Sequence, residues 1–216
     1  MKTDLQLRQD VLNELEWEPS VNAANINVEA KEGAITLAGH VDTFAEKRRA
    51  EDATQRVSGV KALAVKIDVK LLTRTERTDA DIAKSAENVV RWSNDLYNNS
   101  VTIMVNSGWV TLTGFVGWEF QKRNIGYALC NLMGVVGLSN QLAIKPKVKG
   151  AIVKGDIEQA LKRCAVEGLK HVAIHINDSE ITLSGYVDSW TEREVANHSA
   201  WNTPGVKSVI NQIKIA

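Results

Sequence analysis

Three aromatic residues, each followed by one or two basic residues, are the side chains in this sequence best suited to binding an anionic surface. The residues concerned are Phe44, Lys47, Arg48, Trp118, Lys122, Arg123, Trp190 and Arg193. An amphipathic ring beside a cation suits a membrane interface or a phospholipid headgroup. The alternative is that the rings, Phe44 in particular, pack onto a core while the cations line a solvated helix face.

No residue pattern points to catalysis, a metal or a cofactor. The sequence holds no nucleophile-elbow, phosphate-loop or metalloprotease motif. His171 and His175 fall in an alternating segment, where they would lie about 13 Å apart along a strand, too far for one ion. Cys130 and Cys164 lack a second cysteine at metal-ligand spacing and are expected to be buried, reduced thiols. We therefore expect a non-enzymatic protein without metal or cofactor.

The net charge and the N-terminal segment indicate which partners and which cellular location to expect. Lys plus Arg and Asp plus Glu number 26 each, so the formal net charge is zero, whereas nucleic-acid binders usually carry a basic excess. No apolar run has the length of a membrane span. Residues 1–20 have the pattern of an amphipathic helix rather than an export signal. This predicts a cytoplasmic protein, peripheral to the membrane if it binds lipid, and a periplasmic one only if a leader was removed.

The aromatic-basic segments belong to a unit that occurs three times. Each segment follows an anchor glycine, at Gly39, Gly114 or Gly185, and at the same distance after each anchor comes a Gly-Val pair beginning at Gly59, Gly134 or Gly205. The anchor glycines fall on the inward side of a strand, where a missing side chain permits close approach. The second set falls where a helix should end and favours a left-handed conformation.

Each copy predicts the order αββαβ. A helical stripe precedes two alternating strands joined by a short turn, then a second helix and a closing strand. The expected fold is α+β, with three tandem domains over residues 1–72, 78–146 and 150–216, each a small mixed sheet with two helices on one face. Thr43 with Glu46 and Ser189 with Glu192 fit helix-capping boxes, whereas the middle copy has Trp118 at the cap.

Two motifs in each copy carry a family resemblance. They are INVEAKEGAITLAGHV with QRVSGVKALAVKIDV, VTIMVNSGWVTLTGFV with CNLMGVVGLSNQLAI, and VAIHINDSEITLSGYV with WNTPGVKSVINQIKI. In these motifs the sequence resembles three tandem copies of the BON domain, the family of bacterial OsmY and nodulation proteins. The resemblance implies a non-enzymatic module associated with osmotic or envelope stress, which binds phospholipid or other macromolecules.

The middle copy is unusually apolar on several sides. The side of its sheet turned away from the helices should carry Met104, Trp109 and Phe115, and its second helix adds Tyr127 and Cys130. Such a domain is expected to be covered by its siblings or by another subunit. Two functions follow as hypotheses. One is binding of phospholipid or envelope components through the aromatic-basic helix starts, and the other is a protein-interaction or self-assembling scaffold centred on the middle copy.

Overall fold

Three small domains of one architecture follow each other along the chain. The computed structural model describes residues 2–72, 77–92, 101–145, 171–203 and 205–215. The first domain contains α1 (Asp4–Trp17), a short 3-10 turn (Ala23–Asn25), β1 (Ile26–Lys31), β2 (Ala34–Val41), α2 (Phe44–Arg56) and β3 (Ala62–Val69). Strand β2 pairs antiparallel with β1 and parallel with β3, so it forms the centre of the sheet.

The middle and third domains repeat this order. The middle domain contains α3 (Asp79–Trp92), β4 (Val101–Asn106), β5 (Trp109–Val116), α4 (Glu119–Cys130), β6 (Gly137–Asn140) and β7 (Ala143–Ile144). The third contains β8 (Val172–Asn177), β9 (Glu180–Val187), α5 (Trp190–Trp201) and β10 (Ser208–Ile215). The predicted α+β fold of three small mixed sheets packed with helices is confirmed. The segment predicted to form the first helix of the third copy, with Cys164, lies outside the described residues.

The closing strand of the middle domain is interrupted. Strands β6 and β7 both run parallel to β5, with a break between them at Gln141 and Leu142. Leu142 lies in this break and is nevertheless buried, with 1% of its surface exposed. The Gln141 N–H donates to the Leu112 carbonyl over 2.9 Å, which keeps the segment attached to the sheet.

The anchor glycines are required by close backbone contact. Gly39 has a φ of +142°, and a Cβ there would lie 2.0 Å from the Asn25 carbonyl oxygen. Gly185 is placed in the same way, 2.2 Å from the His171 carbonyl oxygen. In both domains the group that approaches the glycine is the backbone just before the adjacent strand. The close approach predicted at these glycines is therefore observed. Gly59 has a φ of +98°, as predicted for a glycine beyond a helix end.

The second helix of each domain begins at a hydrogen-bonded cap. The Thr43 and Ser189 hydroxyls accept from the Glu46 and Glu192 N–H groups over 3.1 and 3.2 Å, which confirms the hydroxyl half of the predicted capping boxes. The two carboxylates accept from the Asp42 and Asp188 N–H groups instead of from the cap residues. In the middle domain Gln121 Oε1 instead accepts from the Gly117 and Trp118 N–H groups, over 2.9 and 3.0 Å. All three copies therefore fix the start of this helix, although the middle copy has lost the hydroxyl.

Candidate functional site

One cation in each repeat ties the second helix to the closing strand. Lys47 and Lys122 donate through Nζ to the Ile67 and Leu142 carbonyls over 2.7 Å. Arg193 donates through Nε to the Ile213 carbonyl over 3.1 Å. Because these three cations of the predicted lipid-binding set make the same contact within their own domains, the shared spacing reflects folding.

The aromatic residues at the helix starts connect neighbouring domains. Phe44 begins α2 of the first domain, yet it is 9% exposed and belongs to the hydrophobic core of the middle domain. Trp190 begins α5 of the third domain and packs against the core of the first. The Arg193 guanidinium carbon lies 5.2 Å from the centroid of the Trp190 ring. The expected core packing of Phe44 is therefore observed, but in the core of another domain.

The middle domain makes its contact with the third by polar groups. Glu119 occupies the position that Phe44 and Trp190 hold in the other copies, and the neighbouring Trp118 is half-buried at the helix cap. Glu119 lies 3.6 Å from Arg123. A guanidinium nitrogen of Arg123 lies 2.9 Å from Nε2 of His198 in the third domain. Each domain therefore contacts the other two.

Five of the residues predicted for lipid binding or for an interface line one cleft between the first and middle domains. We call it the arginine cleft. It has a volume of about 340 Å³ and is lined by Phe44, Arg48, Arg123, Gly126, Tyr127, Cys130, Leu138 and Asn140. The Arg48 and Arg123 side chains are 47% and 36% exposed, whereas Phe44 and Gly126 are buried. The cleft thus combines two accessible cations with a buried apolar part.

Each cation of this cleft has a carboxylate beside it, Glu51 for Arg48 and Glu119 for Arg123. Arg48 pairs with Glu51 over 2.9 Å, and burial raises the pKa of Glu51 against the opposing effect of Arg48 and Lys47. Burial also raises the pKa of the Cys130 thiol, although the nearby Arg48 acts in the opposite direction. A thiol with a raised pKa stays neutral at physiological pH. Cys130 therefore contributes an uncharged surface.

A second cleft is formed by all three domains, and we call it the three-domain cleft. Its volume is about 560 Å³, and it shares Arg123 and Tyr127 with the arginine cleft. The remaining lining residues are Asp52, Gln55, Arg56, Trp190, Thr191, Glu194, Val195, His198, Ser199 and Asn202. Helices α2 and α5 pack against each other beside it. Unlike the arginine cleft, it contains carboxylates.

The remaining predicted interface residues lie elsewhere. Met104, Trp109 and Phe115 are 62%, 50% and 48% exposed on the side of the middle sheet that faces away from the helices. The Lys145 ammonium lies 5.1 Å from the centroid of the Phe115 ring. We call these three residues and Lys145 the outer sheet face. The predicted interface set therefore divides between this face and the clefts, where Tyr127 and Cys130 lie.

Sequence reasoning did not find Gly126, Leu138 and Asn140, nor Asp52 and His198. Gly126 keeps the arginine cleft open, since a Cβ there would lie 3.2 Å from the Asn140 amide nitrogen. For Asp52 and His198 the sequence does contain a signal, which is their position relative to the anchor glycines. Asp52, Tyr127 and His198 stand at the same distance from the three anchor glycines, as do Arg48, Arg123 and Glu194 one helical turn earlier. Equivalent positions in a repeat can meet at a shared axis, but sequence does not state that they do.

The described residues can also be compared with the requirements of a metal site and of a membrane-spanning helix. Among the described residues, no three His, Cys, Asp or Glu side chains are grouped so that they could hold a metal ion. Within the same ranges, no helix combines the length and apolar character needed to cross a membrane.

The repeated sheet, helix caps and glycines agree with a known family. The chain belongs to the BON domain family, which matches residues 3–70, 78–146 and 150–216. It is similar to osmotically-inducible protein Y of Escherichia coli K12, with 27% identity over 129 residues. That match covers 56% of this chain and 64% of the relative, so the chain spans just under two thirds of the relative's length.

Solved structures of one other protein also align with the chain. They are two structures of CdsD, a structural protein of the type III secretion system of Chlamydia trachomatis, with 15% and 14% identity and TM-scores of 0.25 and 0.26. The alignments cover 96% and 100% of this chain, and 91% and 100% of theirs. At such TM-scores the likeness adds nothing about function.

Proposed function

We propose that this BON-domain protein is a non-enzymatic binding protein of the osmotic or envelope stress response, and that its arginine cleft binds the headgroup of an anionic phospholipid. The observation that carries the proposal is the convergence of Arg48 and Arg123, from different domains, on one cleft. None of the described residues that line this cleft is acidic. The similarity to an osmotically inducible relative supports the association with stress.

The chemistry of the lining suits a phosphodiester attached to an apolar chain. Two guanidinium groups can each form paired hydrogen bonds with phosphate oxygens. Phe44, Leu138 and Cys130 offer the neighbouring apolar surface for the glycerol and the first acyl carbons. Glu51 competes for Arg48, but its raised pKa reflects the cost of keeping this carboxylate charged in a buried position. The proposal includes a location in the cytoplasm, at the membrane surface.

Vesicle co-sedimentation tests this proposal. The full chain should bind phosphatidylglycerol vesicles at low salt, and the double variant Arg48→Gln/Arg123→Gln should reduce the bound fraction at least tenfold. The matched control is Arg49→Gln/Arg91→Gln, which removes the same charge from exposed positions outside the cleft. Equal loss in both double variants would show that only general charge matters. Absence of binding by the native chain would remove the proposal.

A second candidate function is self-assembly through the outer sheet face. It is favoured by the exposure of Met104, Trp109 and Phe115 on one side of one sheet, because clustered exposed apolar side chains commonly mark interaction sites. Light scattering after size exclusion should show a mass that rises with concentration without lipid and returns to a monomer in Trp109→Ser/Phe115→Ser. Tyr186→Ser is the control, since Tyr186 is 58% exposed at the position equivalent to Phe115. A monomer at every concentration would contradict this candidate.

A further inference from the structure

The three-domain cleft is lined by two carboxylates for which no other described side chain serves as a partner. Asp52 projects from α2 of the first domain and Glu194 from α5 of the third, and both line the cleft. In the described part of the chain, neither makes an ion pair or hydrogen bond with another side chain. A cleft that holds unpaired carboxylates on two of its walls attracts positive charge.

Both guanidinium groups that line this cleft have carboxylate partners. Arg56 donates to Glu14 and Glu18, each over 3.0 Å. The pKa of Glu18 is lowered by its hydrogen bonds with Ser20 and Arg56, so it stays charged at neutral pH. Arg123 is held by Glu119 at 3.6 Å and by His198 at 2.9 Å. With Arg193, which lies over the Trp190 ring, the lining and its direct partners therefore contain five carboxylates against three guanidinium groups.

The rest of the lining favours an organic cation over a bare metal ion. Tyr127 and Trp190 supply aromatic surface, Val195 adds an aliphatic side chain, and Gln55 and Thr191 offer side-chain oxygens that accept hydrogen bonds from ammonium groups. Aromatic rings attract alkylammonium groups and also pack against the carbon chain between them. A volume of about 560 Å³ is within the usual range for a small-molecule site, and the two carboxylates, one from each of two domains, suit a ligand with two ammonium groups.

We infer that the three-domain cleft binds an organic polycation, a flexible aliphatic chain carrying at least two ammonium groups, between Asp52 and Glu194. The ligand lies against Tyr127 and touches residues of all three domains. This site is separate from the arginine cleft in charge and in ligand, although both share the wall formed by Arg123 and Tyr127.

Isothermal titration of the full chain with spermidine tests the inference. In dilute buffer with 50 mM NaCl we expect saturable binding of one spermidine per chain. Asp52→Asn/Glu194→Gln should weaken this binding at least tenfold. The matched control is Glu29→Gln/Asp68→Asn, because these two carboxylates are exposed on the first domain outside the cleft and their replacement changes the net charge equally. Circular dichroism should show the same secondary structure in all variants.

Two further arms decide the class of ligand. Tyr127→Phe should retain spermidine binding and Tyr127→Ala should lose most of it, since the ring and not the hydroxyl makes the contact. Potassium or magnesium chloride at equal ionic strength should not displace spermidine more strongly than sodium chloride does.

Three results would overturn the inference. They are no saturable heat with the native chain, equal weakening by both double variants, or specific displacement by the metal ion. Failure here would leave the lipid proposal standing, because Asp52 and Glu194 do not line the arginine cleft. The variant Asp52→Asn/Glu194→Gln should accordingly bind phosphatidylglycerol vesicles at least as well as the native chain does, because it removes negative charge and leaves the arginine cleft intact.

Discussion

At the scale of single residues, equivalent positions in the three copies have acquired different tasks. Lys47, Lys122 and Arg193 retain one structural hydrogen bond to the closing strand. The next position carries Arg48, Arg123 or Glu194, and this variation makes one cleft cationic and the other acidic. Positions at which the three copies make the same side-chain contact are therefore expected to stabilise the fold. Positions at which the contacts differ are expected to serve binding.

The anchor glycine gives a residue-scale prediction for stability. Gly39→Ala should destabilise the first domain by about 2 kcal/mol or more, because it combines a positive φ with a Cβ too close to a backbone oxygen. Chemical denaturation followed by far-UV circular dichroism measures this. Gly117→Ala is the control, since its Cβ would meet only the Gln121 side chain at 3.4 Å. Equal stability of the two variants would contradict the assignment.

At the scale of elements, the second helix of each domain carries most of the specific contacts. It begins at a cap and donates a side-chain hydrogen bond to the closing strand, and in the first and third domains its first residue packs in or against the core of a neighbouring domain. The caps, strands and glycines could be predicted from the sequence because they depend on local geometry and repeat in each copy. The positions of Phe44 and Trp190 in other domains could not, because a burial pattern does not tell which core receives a ring.

The contact between helix α4 and the closing strand should be measurable. Lys122→Met should lower the free energy of unfolding by about 1.5–3 kcal/mol, because it removes a charged donor from the partly buried Leu142 carbonyl. Lys66→Met is the control, as Lys66 lies exposed on a strand. Urea titration compares the two, and native stability in Lys122→Met would show that the hydrogen bond contributes little.

Phe44 provides an element-scale test of how the domains are joined. Phe44→Ala should destabilise the protein by about 3–5 kcal/mol, the usual range for a buried phenylalanine, and the loss should appear in the middle domain. Hydrogen exchange should speed up in β5 and α4, whose residues form the core that Phe44 enters. Phe120→Ala is the control, because Phe120 is 37% exposed. Faster exchange confined to the first domain would contradict the observed packing.

At the scale of the whole molecule, the domains contact one another in a closed set. Phe44 joins the first domain to the middle one, Trp190 joins the third to the first, and Arg123 with His198 joins the middle to the third. Small domains of this size gain stability from such contacts. The middle domain was expected to be covered by its siblings or by another subunit; within the chain its siblings leave the apolar residues of the outer sheet face exposed, and the first domain contacts both neighbours as well.

This arrangement predicts joint unfolding. Differential scanning calorimetry should show one main transition for the native chain, and Phe44→Ala/Trp190→Ala should separate it into two or more. The reason is that these two side chains lie in or against the core of another domain. Three transitions in the native chain, unchanged by the double variant, would show that the domains fold independently.

The most direct test of the account is to locate the bound phospholipid on the protein. Two-dimensional NMR of the full chain, titrated with a short-chain phosphatidylglycerol below its micelle concentration, reports shifts at individual amides and guanidinium groups. The account predicts the largest shifts at the Arg48 and Arg123 side chains and at the Gly126 amide, with the closing-strand contacts of Lys47 and Lys122 unperturbed. Shifts centred on the outer sheet face, or none at saturating lipid, would contradict it.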